Sequence, residues 1–208
     1  MILIGQYDSP FVRRTGIALT LYGLAFEHRP WSVFGDAGKI RPLNPLLRVP
    51  TLVLDDGTVL ADSHLILDCL DQLVGPERAL VPATGPARYH ALRIAGLATG
   101  IADKAVSLFY EKRLHDTASE VWVARCQEQI FGALALLERE RNALLTPYWF
   151  GAVPGHADIA VACALRFLTE AHPGLIRLAD TPALAAHCAR MEALPVFKAI
   201  SQPFIPPA

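Results

Sequence analysis

Basic blocks, metal-ligand spacings and long uninterrupted apolar runs are all missing from this sequence. Only 19% of the residues are charged, and the formal net charge is −1 with acids and bases spread along the chain. That balance excludes nucleic acid and an anionic membrane as the main partner. No apolar run reaches the roughly 18 residues of a spanning helix without a charge, Gly or Pro. The start, Met1 to Gly5, is too short and lacks the basic flank of a secretory signal, so a cytoplasmic location is expected. Cysteine is scarce: Cys69, Cys126, Cys163 and Cys188 lie far apart within helical patterns. Buried thiols in a reducing compartment account for them better than disulfides or a metal site. The seven histidines show no metal-ligand spacing, and there is no Cys-x-x-Cys, His-Glu-x-x-His or Gly-rich phosphate loop. No metal and no nucleotide are therefore expected. No Gly-x-Ser-x-Gly elbow surrounds any serine, which argues against a serine hydrolase.

What the chain does have is apolar content, 52% of 208 residues, enough for one domain or two small ones with a sizeable core. Residues 1–5 read as a short buried strand. Ser9 before Pro10 is a helix start, and Gly23 ends that helix near Leu24. Residues 27–33 form a second strand, placed at an edge by Pro30. Residues 34–48 are irregular with one short helix. The segments 51–54 and 58–60 flank Asp55-Asp56-Gly57, a hairpin signal. A helix follows, capped by Ser63 or Asp62. Residues 1–75 thus make an α/β unit, and the Gly- and Pro-rich stretch 75–86 is the candidate boundary. Beyond it, 3.6-residue periodicity predicts helices over 87–115, 118–144, 156–171 and 183–193, the last closed by Pro195. Residues 87–208 read as all-helical, with a Pro-rich extended end (Pro203, Pro206, Pro207).

Three stretches carry chemistry. Ser9, at a helix N-terminus, sits beside unbonded N–H groups and the positive end of the helix dipole, where a thiolate would be favoured. Val49-Pro50 opens a strand with a residue that cannot donate to a ladder. A cis bond there would turn the N–H and C=O of Val49 outward as an edge for a peptide-like ligand. Asp62-Ser63 opens a helix that can hold a carboxylate, with Asp62 beside it for an amino group. Each stretch also has a plain reading: Ser9 as a cap, Val49-Pro50 as a turn, Asp62-Ser63 as another cap. Arg48 could pair with a second carboxylate, within a loop that also carries Lys39 and Arg41. Tyr7 could supply the hydroxyl instead of Ser9, or simply pack on the strand end. Taken together, the three describe a ligand with an amino acid head, a peptide middle and a thiol. That ligand is glutathione.

Ser9-Pro10-Phe11-Val12-Arg13-Arg14, Asn44-Pro45 with Arg48-Val49-Pro50-Thr51-Leu52, and Asp62-Ser63 resemble the glutathione S-transferase family in its bacterial, serine-type branch. Gly155-His156-Ala157-Asp158-Ile159-Ala160 looks like that family's capping motif before its central helix, so the resemblance runs nearly end to end. It implies a thioredoxin-like N-terminal domain followed by an all-helical C-terminal domain, typically in a homodimer. The reaction it implies is thiol attack on a small apolar electrophile. Carried over, Ser9 would stabilise the thiolate, and Val49, before a cis Pro50, would pair with the cysteinyl part. Asp62 and Ser63 would hold the γ-glutamyl end and Arg48 would stand near the glycyl carboxylate. Asp158 would cap the central helix. Ala105, Leu108 and Phe109, with Tyr110, are candidates for the second-substrate pocket or else plain interhelical core, and Asp103 is a candidate for reaching a neighbouring subunit's glutathione. The sequence departs from the family pattern at Gly155 (usually Ser or Thr), Leu47 (commonly Gly) and Asp62 (commonly Glu).

Overall fold

The apolar N-terminal run forms β1 (Ile2–Ile4), the inner strand on which the first part of the chain is assembled. It is followed by α1 (Pro10–Tyr22), β2 (Glu27–Arg29), α2 (Ala37–Ile40), β3 (Thr51–Val53), β4 (Val59–Ala61) and α3 (Ser63–Val74). This computed structural model describes residues 1–206; Pro207 of the proline-rich end lies outside the described residues. The strand order is β2-β1-β3-β4, with β1 parallel to β2 and the other pairs antiparallel. Leu3 stands opposite Leu52, and Leu52 opposite Leu60. Leu3 and Leu52 bury against Val12, Ala18 and Leu19 of α1 and Ile66 and Leu70 of α3. The mixed sheet and its helices followed by a helical region are the thioredoxin-like plus all-helical architecture expected from the sequence.

Local chemistry sets the ends of these elements. Ser9 is the N-cap of α1, and Pro10 fills the position whose N–H would be orphaned in any case. Gly23 closes that helix at φ 67°, with its own N–H on Thr20 O and the N–H of Leu24 on Leu19 O. β2 stops before Pro30 on the outer side of the sheet, where a missing donor costs no ladder bond.

Contacts divide the chain between Ala83 and Thr84, and residues 194–206 group with the first unit. The helical unit therefore stops at Ala193, short of the 87–208 read from the sequence. Pro195 does not simply close a helix: it opens another, α8 (Pro195–Ala199). What holds this segment to the first unit is Arg13, buried on α1. Its Nε donates to Ile200 O at 2.9 Å and its Nη2 to Phe197 O at 3.0 Å. The guanidinium also lies 5.1 Å from the centre of the Phe197 ring.

The helical unit contains α4 (Gly85–Leu114), α5 (Glu120–Asn142), α6 (His156–Ala171) and α7 (Pro182–Glu192), with one 3₁₀ turn at Leu178–Asp180. Ile159, Cys163 and Phe167 are all buried on α6. Cys126, Cys163 and Cys188 are buried and Cys69 is half-buried; all four are unbridged. No helix among the described residues is long and apolar enough to cross a membrane.

Asp158 is wholly buried in the first turn of α6. Its carboxylate accepts from Gly155 N at 2.9 Å and Trp149 N at 3.0 Å. Gly155 has no side chain to return the bond, so one arm of a capping box is formed. Burial pushes the Asp158 carboxyl up, opposed by these N–H bonds. His187 of α7, also wholly buried, sets Nε2 at 3.3 Å from Asp158 O and packs edge-on to Trp149. Burial lowers its pKa to about 4.

Because the folded pKa of His187 lies below the unfolded value of 6.5, stability is full above pH 6.5 and declines as pH falls towards 4. From pH 7.5 to 5 the His187 contribution amounts to about 2 kcal/mol, while the raised Asp158 carboxyl acts in the opposite sense. Urea denaturation at the two pH values should show that loss, and His187→Phe should remove most of it. An unchanged pH slope in the variant would contradict the assignment.

Candidate functional site

Gly5 ends β1 at φ +126°, a conformation that L side chains rarely adopt. A Cβ there would come within 2.5 Å of Val12 Cγ2 and 2.8 Å of Val49 Cβ. The missing side chain lets two structures close on the strand end: the first turn of α1 and the segment entering β3. The Gly5 N–H continues the ladder to Arg29 O at 2.9 Å, and His28 Nε2 lies 2.8 Å from Gly5 O.

From this junction α1 departs. Ser9 is half-buried, and its Oγ accepts from Val12 N at 3.4 Å, a long and weak cap. The N–H of Phe11 has no hydrogen-bond partner among the described residues. No acidic residue stands in the first turn, so the helix end presents a donor and a positive dipole beside the Ser9 hydroxyl. Tyr7 is placed differently. Its ring stacks on His28 with centroids 3.9 Å apart, and its edge covers Gly16, where a Cβ would come within 2.8 Å of Tyr7 Cε1. Burial pushes its hydroxyl up to about 12. Tyr7 thus packs as the loop aromatic that was one of its two readings.

The loop before β3 is clamped by Asn44, a buried residue to which the sequence reading gave no role. Its Nδ2 donates to Arg48 O at 2.9 Å and Thr51 Oγ1 at 3.0 Å, and its Oδ1 accepts from Leu46 N at 3.1 Å. Thr51 Oγ1 donates to Arg48 O at 3.0 Å, closing the clamp around Val49-Pro50. An Asn before Pro was the available signal, since its side chain bonds the backbone two residues on. The Val49-Pro50 bond is cis, as expected, and Pro50 is buried. Among the described residues neither the N–H nor the C=O of Val49 has a backbone partner. Leu47 sits at φ 52°, the left-handed region that explains why glycine suits this position. Arg48 is exposed, and Lys39 is engaged by Asp36 at 2.7 Å.

At the start of α3 the cap is Asp62, whose Oδ1 accepts from His64 N at 2.8 Å. Its backbone lies at φ 74°, ψ 124°, uncommon for a residue with a side chain. Such conformations persist where the surroundings over-determine them, often at ligand clamps. Ser63 is buried, and its Oγ accepts from Nη1 of the buried Arg14 at 3.2 Å. Arg14 thereby ties α1 to the α3 N-terminus, a connection that no local sequence pattern announces.

Of the electrophile-side candidates, Ala105 and Leu108 take the interhelical-core reading. Ala105 and Leu108 are wholly buried in the helical unit and present no surface to a substrate. Ala105 O also accepts from His172 Nε2 at 2.8 Å. Phe109 is half-buried and meets Tyr110 and His172 edge-on. Asp103 pairs with Lys104 at 3.0 Å. A cavity of about 620 Å³ lies along α5, beside Phe131, Arg139 and Ile176, and contains none of the predicted site residues. No group of three His, Cys, Asp or Glu side chains is placed to hold a metal among the described residues.

Residues 3–78 match the glutathione S-transferase N-terminal domain and residues 120–190 the glutathione S-transferase C-terminal domain. The chain is 31% identical over 169 residues to the uncharacterized GST-like protein YibF of Escherichia coli, covering 81% of this chain and 82% of that one. It is 29% identical to the maleylacetoacetate isomerase of Pseudomonas aeruginosa across 100% of both chains. A glutathione S-transferase of Methylobacterium radiotolerans, crystallised with glutathione sulfonate, superposes with TM-score 0.89 at 30% identity, covering 100% of this chain and 98% of that one. A glutathione transferase family member from Pseudomonas fluorescens, with bound glutathione, superposes with TM-score 0.82 at 33% identity, covering 98% and 99%.

The junction at Gly5 has a direct test in paired substitutions. Gly5→Ala should lower the unfolding free energy by about 3 kcal/mol, because it combines overpacking with an unfavourable positive φ. Gly38→Ala on α2, where an added Cβ meets nothing within 4 Å, should be neutral or slightly stabilising. Equal effects in thermal or urea unfolding would show that the Gly5 contacts are not tight.

Proposed function

The chain belongs to the glutathione S-transferase family, and on that footing we propose that it is a glutathione transferase in which Ser9 activates the thiol against an apolar electrophile. The observation that carries the proposal is the unpartnered backbone of Val49, held through Gly5 against the helix end that bears Ser9. An extended peptide-like ligand pairs with such an edge by strand addition. In this reading Val49 takes the cysteinyl part and Pro50 fixes the edge. The γ-glutamyl carboxylate goes to Ser63 at the α3 N-terminus and the amino group to Asp62. Arg48 meets the glycyl carboxylate from solvent.

The Ser9 hydroxyl, the Phe11 N–H and the α1 dipole then favour the thiolate over the thiol. A pKa lowered by two units corresponds to about 2.7 kcal/mol. The thiol proton leaves to water, the sulfur forms a bond to the electrophilic carbon, and the leaving group departs with the electron pair. The protein contributes ionisation and proximity.

A second reading, a glutathione-dependent isomerase, is favoured by the full-length likeness to a maleylacetoacetate isomerase. The same glutathione residues serve both reactions, and turnover of a cis-enone diacid rather than halo-aromatics would select it. A dehalogenase or lyase would use this centre too, and a non-catalytic glutathione-binding regulator would use it without turnover. A cytoplasmic homodimer belongs to the proposal as well.

The test is ultraviolet titration of bound glutathione in the protein, in Ser9→Ala and in Tyr7→Phe. Ser9→Ala should return the thiol towards its solution pKa and lower turnover of a halo-aromatic near neutral pH by about 100-fold. Tyr7→Phe should leave the ionisation unchanged. If Ser9→Ala is silent and Tyr7→Phe abolishes activity, the hydroxyl is misassigned. Absence of glutathione binding at millimolar concentration would remove the function altogether.

A further inference from the structure

The loop that delivers Ser9 is held from the far end of the sequence. The N–H of Tyr7 donates to Gln202 Oε1 at 3.2 Å, across 195 residues of chain. The N–H of Ile205 donates to Asp8 Oδ2 at 3.1 Å. These are the two residues immediately before Ser9. The segment arrives there because Arg13 grips Phe197 O and Ile200 O, and because Ile200 packs at Gly16 under the Tyr7 ring.

We propose that residues 201–205 are a clasp that sets the Ser9 loop, with Gln202 as a positioning residue for thiol activation. The inference rests on the reading of Ser9 given above. Two constraints besides the clasp fix the loop between Gly5 and Ser9. The Tyr7 ring is fixed between His28 and Gly16, and the Ser9 N–H closes a turn on Gln6 O at 3.2 Å. The Tyr7 N–H has no backbone partner among the described residues, so the Gln202 side chain holds the donor end of a peptide whose carbonyl, Gln6 O, is held by the Ser9 turn. That peptide orientation is relayed through Asp8 to the Ser9 hydroxyl. The bond from Ile205 N meets the carboxylate of Asp8, an anionic group one residue from Ser9 whose charge opposes a thiolate there. With both bonds made, the hydroxyl is oriented and the nearby negative charge is partly satisfied.

Gln202→Met keeps the length of the side chain and removes the acceptor. In the full-length protein, hydrogen exchange at the Tyr7 amide should quicken about fivefold, the effect of one lost hydrogen bond. The bound thiol should ionise at higher pH and kcat should fall, while KM for glutathione changes by less than about twofold, because Val49, Asp62 and Ser63 are untouched. Truncation after Ser201 removes both bonds and should give the same pattern, larger. Faster Tyr7 exchange with unchanged thiol ionisation and kcat would show that the segment only packs, and would overturn the proposal; so would unchanged exchange. Ser9→Ala run in parallel separates the two ideas. If it shifts the thiol and Gln202→Met does not, the clasp fails alone; if it shifts nothing, the reading of Ser9 fails first.

Discussion

The close approach at Gly5 is the constraint on which the site depends. A strand end, a helix start and a loop cannot all occupy one place if that place carries a side chain. At Gly5 the gap left by a missing Cβ is filled by Val12 from one side and Val49 from the other. Two backbone features are thereby held in fixed relation: a helix N-terminus with an unsatisfied donor and an edge that no strand has taken. Buried polar side chains then lock the arrangement outward from that point. Asn44 fixes the loop around Val49, and Arg14 fixes the α3 N-terminus through Ser63. Neither is a ligand candidate, yet each sets where a ligand candidate stands.

The same region holds two backbones that sequence preference alone would avoid, Leu47 at φ 52° and Asp62 at φ 74°. A left-handed non-glycine residue costs about 1–2 kcal/mol, and surrounding bonds must hold it. At Leu47 the Asn44 clamp does so. At Asp62 the cap bond to His64 N and the start of α3 do so, leaving the carboxylate at the mouth of the helix. The local preferences are overridden where the proposed ligand contacts are.

Much of this was legible because the signals are local. Ser9-Pro10 and Gly23 bound α1 through capping and φ, Pro30 marks the edge strand, and Asp55-Asp56-Gly57 marks the hairpin. The choice between Asp62 and Ser63 as cap was not decidable from residue type, since both types cap well; the backbone turns at Asp62. What escaped was long-range. Arg13, next to a second arginine on α1, gives no hint that it grips carbonyls 184 and 187 residues away, so the return of the chain after Leu194 was missed. Ala105 and Leu108 show the other limit: the resemblance puts a pocket along α4, and residue type does not tell a pocket wall from interhelical core.

The central claim is that this junction is the glutathione site. Its most direct test is a titration of the ¹⁵N-labelled protein with glutathione, following backbone amide resonances. The account predicts the largest shifts at Ser9, Phe11, Val49 and Ser63, saturating together with one affinity. Shifts confined to the α5 cavity, around Phe131 and Arg139, or none at all, would contradict it.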